Sequence, residues 1–191
     1  MIEIVDYKSS WVQEFLEIGS RIRTALGNRA LAIHHIGSTS VPNLAAKDVI
    51  DIQLTVSSLE ESMLKPLLEG AGFVGRDGLI HDHMPPGLML PESELEKRFA
   101  SLNFEDSRRA NVHIRVEGRF NQRYALLCRD FLRTHDGAMQ GYAEIKRQLA
   151  RYFPENIKAY YDIKDPVFDM IMAGANDWAG ITDWQPAPTD A

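Results

Sequence analysis

At 191 residues, 45% of them hydrophobic, the chain has the material for a buried core of ordinary domain size. A formal net charge of −6 argues against a general nucleic-acid binder, which needs a concentrated excess of lysine and arginine, and leaves a small ligand open. A lone cysteine, Cys128, excludes an internal disulfide and a thiolate metal cluster and fits a reducing compartment; with no secretory leader pattern near Met1 and no apolar run near the roughly 18 residues of a membrane span, the reading is a cytoplasmic protein off the membrane.

In chain order, Ser9 and Ser10 are good N-caps for a helix over 9–27 that places Trp11, Phe15, Ile18 and Ile22 on one face before Gly27 ends it. A short strand is expected over 31–36 and a longer one over 48–56, separated by a loop with Pro42 and a short turn at Leu44 to Ala46. Residues 59–71 read as helix despite Pro66, with Gly70 and Gly72 at its end. The stretch 73–97, with His81, Asp82, His83, Pro85, Pro86, Gly87 and Pro91, reads as a mobile flap or excursion. Two strand patterns, 98–105 and 110–117, suggest a hairpin; helices are expected over 121–134 and 138–153, and a last one capped by Asp165-Pro166 and running to about Trp178. The tail from Gly180 is expected along the surface. Tyr142, Leu149 and Tyr152 form a stripe assigned to core, and Cys128 is read as a packing residue.

Side chains alternate along a strand, so Ile50, Ile52, Leu54 and Val56 share one face of the 48–56 segment while Asp51, Gln53 and Thr55 share the other. The hairpin repeats the pattern. If the three strands join one sheet, their polar sides make a common floor carrying Asp51, Gln53, Asn103, Glu105, His113 and Arg115; an antiparallel sheet with one solvated face would show the same alternation. Gly37, Ser38, Thr39 and Ser40 follow a strand, where a glycine allows close approach and exposed amides and hydroxyls can hold phosphate oxygens; a hydroxyl capping the next turn is the plainer alternative. His35, by parity with Gly37, is the histidine of the 34–35 pair favoured for the site. His81 and His83 have the spacing of a metal pair, but are read as surface residues because no second cluster accompanies them.

The run from Ile33 to Ile52, Val112-His113-Ile114-Arg115, and the segments 129–135, 142–146 and 159–164 resemble the signature of the GrpB family, in order and over most of the chain. That family resembles the polymerase-beta-type nucleotidyltransferase fold. The resemblance implies one α+β domain over 1–191: a mixed or antiparallel sheet with helices on one face over about 1–118, a helical part over 119–179 and a tail over 180–191. It also implies a Gly-Ser turn that grips triphosphate and two strand carboxylates that hold magnesium. Gly37 and Ser38 match the turn and Asp51 the first carboxylate, whereas Gln53 stands at the second position; Glu105 or Glu117 are the hairpin carboxylates that could supply another oxygen. Asp48 has the wrong parity to substitute.

The site implied is therefore Asp51, His113, Arg115 and His35 for chemistry, Gly37, Ser38, Thr39, Ser40, Lys47, Arg129 and Lys146 for phosphate or substrate, and Asp51 with Glu105 for magnesium. Arg129 and Lys146 could equally form interhelical ion pairs with Asp130 or Glu144. The leading expectation is transfer of a nucleotidyl group from a nucleoside triphosphate to a small acceptor. A nucleotide- or anion-binding module without transfer chemistry is the rival; because a GrpB domain follows a dephospho-coenzyme A kinase domain in some relatives, its ligand would be pantetheine- or adenine-nucleotide-like. A small-molecule transferase or lyase using His35 or His113 as base is the third.

Overall fold

The computed structural model describes residues 1–78, 80–102 and 108–191. Its centre is a five-stranded sheet in the order β1-β2-β5-β4-β3, built from β1 (Ala32–Ile36), β2 (Ile50–Val56), β3 (Val74–Gly75), β4 (Arg98–Leu102) and β5 (Ala110–Val116). β2 and β5 run parallel and every other neighbouring pair antiparallel, so the α+β fold with a mixed sheet is as expected. The far ends of the expected hairpin, including Asn103 and Glu105, lie outside the described residues.

Alternation sorts the two faces. On one, Ile33, Ile50, Ile52, Leu54, Val112 and Ile114 pack against α1 (Ser10–Leu26), whose Trp11, Phe15, Ile18, Ile22 and Leu26 are all buried. Each of these large side chains contributes about 1.5–3 kcal/mol when removed from water, which outweighs the weak intrinsic stability of an isolated helix of this length. A short α2 (Leu64–Gly70) joins the same layer; Pro66 sits in its first turn, where the missing N–H would have had no helical acceptor. The helix expected over 59–71 is shortened accordingly.

The polar face is covered too. α3 (Phe120–Thr134), α4 (Asp136–Tyr152) and α5 (Ile157–Thr182) build a second core with Val41, Leu44 and Ala45, and α3 crosses the sheet closely enough for Gln53 Nε2 to donate to Gln122 O at 3.0 Å. α5 runs unbroken through Pro166, so the expected new start at Asp165 is corrected. An interior proline costs about 3 kcal/mol. Buried Tyr160 on one side of it and Ile171, Met172, Ala175 and Ala179 on the other hold both halves in line. The α4 stripe is corrected at its end: Tyr142 and Leu149 are buried, but Tyr152 is 68% exposed, one turn beyond Leu149, the last buried residue of the helix. No described helix is long and apolar enough to cross a membrane.

The tail turns out to be a tether. The outer edge of β1 is occupied by residues 187–191: Asp190 N donates to Ile33 O (2.9 Å), Ile33 N to Thr189 Oγ1 (3.1 Å) and His35 N to Asp190 Oδ2 (3.0 Å). Arg129, 3% exposed, donates to that same carboxylate oxygen at 2.6 Å and to His35 O at 3.1 Å. This satisfies an edge strand that would otherwise present bare backbone groups. Asp190→Ala is expected to destabilise the protein by about 1.5–3 kcal/mol in urea titrations, the usual value of a hydrogen bond to a charged group. Hydrogen exchange should show the His35 amide losing protection in the same variant.

Candidate functional site

Between the polar sheet face and α3, α4 and α5 lies a cavity of about 680 Å³, in the range of small-ligand sites. Asp51 from β2 and Asn111, His113 and Arg115 from β5 form its floor, because the parallel register pairs Asp51 with Asn111, Gln53 with His113 and Thr55 with Arg115. Of the expected polar floor, Asp51, His113 and Arg115 line the cavity, whereas Asn103 and Glu105 lie outside the described residues. Asn111 Nδ2 donates to Asp51 Oδ1 at 2.8 Å, and burial raises the carboxyl pKa of Asp51.

The turn after β1 packs directly on this floor. Gly37 has φ +68°, and a Cβ there would stand 2.6 Å from Asp51 Oδ2, so both conformation and space demand glycine. Ser38 begins a single 3₁₀ turn, Ser38–Ser40, and lines the cavity. Its Oγ accepts from Lys146 Nζ at 2.8 Å; Lys146 also donates to Ala45 O and lies 4.4 Å from the centre of the Tyr142 ring. Burial first, then the neighbouring cations Lys164, Arg147 and Lys47, bring the Lys146 pKa down to about 7.

A buried ionic network occupies the middle of the floor. Arg115 is 6% exposed and grips Asp82 with two donors, at 2.9 and 3.0 Å, while its third contact goes to Gln53 Oε1 at 2.7 Å. Lys97 Nζ reaches Asp82 Oδ1 at 2.6 Å and Asn121 Nδ2 reaches Asp82 Oδ2 at 3.2 Å. Although burial alone would raise the Asp82 pKa, Arg115 and Lys97 hold it well below the usual carboxylate range. His113 beside them carries a buried Nδ1 with no partner, and burial followed by Arg115 and Lys97 keeps its ring neutral. The 73–97 stretch expected as a mobile flap is therefore pinned to the floor through Asp82.

Several residues placed in the site by sequence stand elsewhere or are already engaged. His35 is corrected: it pairs with Ile52 across β1 and β2, joins the apolar face, stacks on Phe15 at 4.8 Å, and has its pKa lowered to about 3 by burial and then Arg133 and Arg129. Parity with Gly37 misled because the strand ends at Ile36 and the positive φ of Gly37 breaks the alternation. Ser40 Oγ donates to Gly37 O at 2.6 Å and acts as a turn cap. Thr39 Oγ1 donates to Val49 O at 3.3 Å and meets His35 Nε2 at 3.0 Å, so its hydroxyl faces inward. Arg129, read as a phosphate ligand, spends its guanidinium on Asp130 and on the tail. Lys47 lines the cavity from its rim, donating to Tyr161 OH and lying 4.4 Å from that ring's centre. Glu105 lies outside the described residues. Asp48 stays off the floor, accepting from Lys8 and Trp11.

His81 and His83 both reach the cavity, but His83 contacts Asp169 instead of pairing with His81. Among the described residues no group of three histidine, cysteine or carboxylate side chains is placed to hold a metal ion. Cys128 is buried, its pKa pushed up to about 12 by burial, as fits a packing residue. Sequence reasoning missed Asp82, Lys97 and Lys164. Asp82 and Lys97 lie within the irregular stretch, without periodicity to orient them, and Lys164 sits in a helix expected to begin only after it, at Asp165-Pro166.

The GrpB protein family model matches residues 1–174. The chain belongs to the GrpB family. The crystal structure of the conserved protein GrpB from Enterococcus faecalis overlays 92% of this GrpB chain and 99% of its own at 28% identity and a TM-score of 0.70. A UPF0157 protein of Halalkalibacterium halodurans is 32% identical over 92% of the chain and 83% of its own length. A dephospho-CoA kinase of Mycolicibacterium paratuberculosis is 34% identical over 97% of the chain, but over 48% of its own length, so the chain spans about half of that relative.

Gly37→Ala should destabilise the protein by about 1–3 kcal/mol through backbone conformation alone, with the approach to Asp51 adding to it, as measured by urea unfolding. For Lys146, the folded pKa near 7 lies below the ordinary 10.5, so the unfolded chain binds more protons between those values and stability rises with pH across that window. Lys146→Met deletes this dependence. The wild-type Tm should therefore gain on the variant between about pH 7 and 10.

Proposed function

We propose that this GrpB chain binds a phosphorylated, nucleotide-sized ligand in the cavity above β2 and β5, through cationic side chains and without a bound metal ion. The observation that carries the reading is charge: in a chain of net charge −6, seven lysine and arginine side chains line the cavity against three aspartates among the described residues. Walls of one sign with low-dielectric surroundings concentrate a counter-charged ligand. Ser38, Lys146, Lys47 and Lys164 all line the cavity, with the rings of Tyr161 and Phe168 beside Lys47 and Lys164. Such rings suit a nucleobase as readily as a lysine. The name of the dephospho-CoA kinase relatives makes coenzyme A and adenine nucleotides the ligands of choice for a first trial.

Magnesium fits the described residues poorly. It would find Asp51 but no second carboxylate: Gln53 stands there with its oxygen engaged by Arg115, and the guanidinium adds a positive charge where a metal site needs a negative one. Asp82 is held by Arg115, Lys97 and Asn121. Nucleotidyl transfer is the second reading, favoured by one observation, the close packing of the Gly37–Ser38 turn on Asp51.

Calorimetry with ATP, ADP and coenzyme A, in magnesium or in excess chelator, separates the two. Binding is expected to persist in chelator, to weaken about tenfold or more in Lys164→Met, and to hold or tighten in Asp51→Asn, which removes a negative charge from an anion site. Binding that demands magnesium and vanishes in Asp51→Asn would overturn this reading in favour of transfer.

A further inference from the structure

Lys146 is an unusual lysine. It is 2% exposed, and among the described residues it has no carboxylate within ion-pair distance, while its Nζ lies 2.8 Å from Ser38 Oγ and both side chains line the cavity. A buried ammonium without a counter-ion is costly, so a site that keeps one has to lower that cost or use the neutral amine. Ser38 is placed to meet a substrate: it follows the left-handed Gly37 and opens the 3₁₀ turn, side chain half-buried at the wall. A serine hydroxyl becomes a nucleophile when a base within hydrogen-bond reach takes its proton.

We infer that Ser38 and Lys146 form a nucleophile–base pair that cleaves an ester or thioester carried on an anionic molecule. The choice of an anionic carrier rests on the cationic cavity of the proposed binding function; the Ser38–Lys146 pair itself does not. Ser38 Oγ attacks the carbonyl carbon as its proton passes to neutral Lys146 Nζ. The tetrahedral adduct collapses, the bond to the alcohol or thiol breaks, and that leaving group takes the proton from Lys146. Water then attacks the acyl-serine with Lys146 again accepting the proton; the carboxylic acid departs and Ser38 recovers its hydrogen. Nothing is oxidised or reduced. A lysine pKa near 7 leaves about half the amine neutral at neutral pH, which suits this role.

Labelling of the full chain with a short, uncharged alkyl fluorophosphonate tests the pair without any nucleotide, so its result is independent of whether calorimetry detects nucleotide binding. Intact-mass and peptide analysis should find one adduct, on Ser38, absent from Ser38→Ala. Its rate should rise to a plateau above about pH 7, following the neutral fraction of Lys146. Lys146→Arg and Lys146→Met, each checked for folding by circular dichroism, should lower the rate about 100-fold or more. The pair is refuted by a folded protein that takes up no label on Ser38, by a rate that keeps climbing with hydroxide to about pH 9, or by a folded Lys146 variant that labels at the wild-type rate. If neither variant folds, the pH profile of the unaltered protein decides.

Discussion

A guanidinium buried above the middle of a sheet must find acceptors for its donors, and Arg115 finds them in two places that are far apart in sequence. Gln53 offers an oxygen from the neighbouring strand and Asp82 offers two from the stretch between β3 and β4. Removing either acceptor would leave a desolvated charge under-satisfied, which is far more costly than losing an exposed ion pair. One side chain therefore fastens an otherwise irregular segment to the sheet. It also fixes Gln53 as a structural amide and sets the sign of the cavity floor.

The same logic explains why the cavity exists. A second layer of helices over a polar sheet face cannot close completely, because the charged groups on that face need partners or water. Gln53 meets the backbone of α3, Arg115 meets Asp82, and Asn111 meets Asp51; the His113 ring is left facing the space between with Nδ1 unpartnered. The apolar face has no such demands and packs under Trp11, Phe15 and Ile22. One sheet thus carries a packed apolar side and a polar side that lines the cavity.

The proposed binding and the proposed catalysis draw on different parts of this arrangement. Distributed cations attract an anion over the whole cavity, whereas the Ser38–Lys146 contact is a single short geometry held by Gly37 and by the α4 face that buries Tyr142. A ligand that fills the cationic walls would present its reactive group to that contact only if its length matches the span.

The strand alternation determined much by itself. Ile50, Ile52 and Leu54 against Asp51 and Gln53, and Val112 and Ile114 against His113 and Arg115, announce a two-faced sheet, since side-chain direction along a strand is set by the backbone alone. The helical face of Trp11, Phe15 and Ile22 was legible from its spacing, whereas Gly37, read as room for a ligand, makes room for Asp51 instead. Tertiary structure decided what depends on partners remote in sequence. His35 went to the core because β1 pairs with β2 in a register that the sequence does not print; Pro166 stayed inside α5 because packing on both sides outweighs a lost hydrogen bond; Arg129 became a tether because Asp190 reaches it; and Asp82, in a stretch with no periodicity, entered the site because buried Arg115 needed a carboxylate.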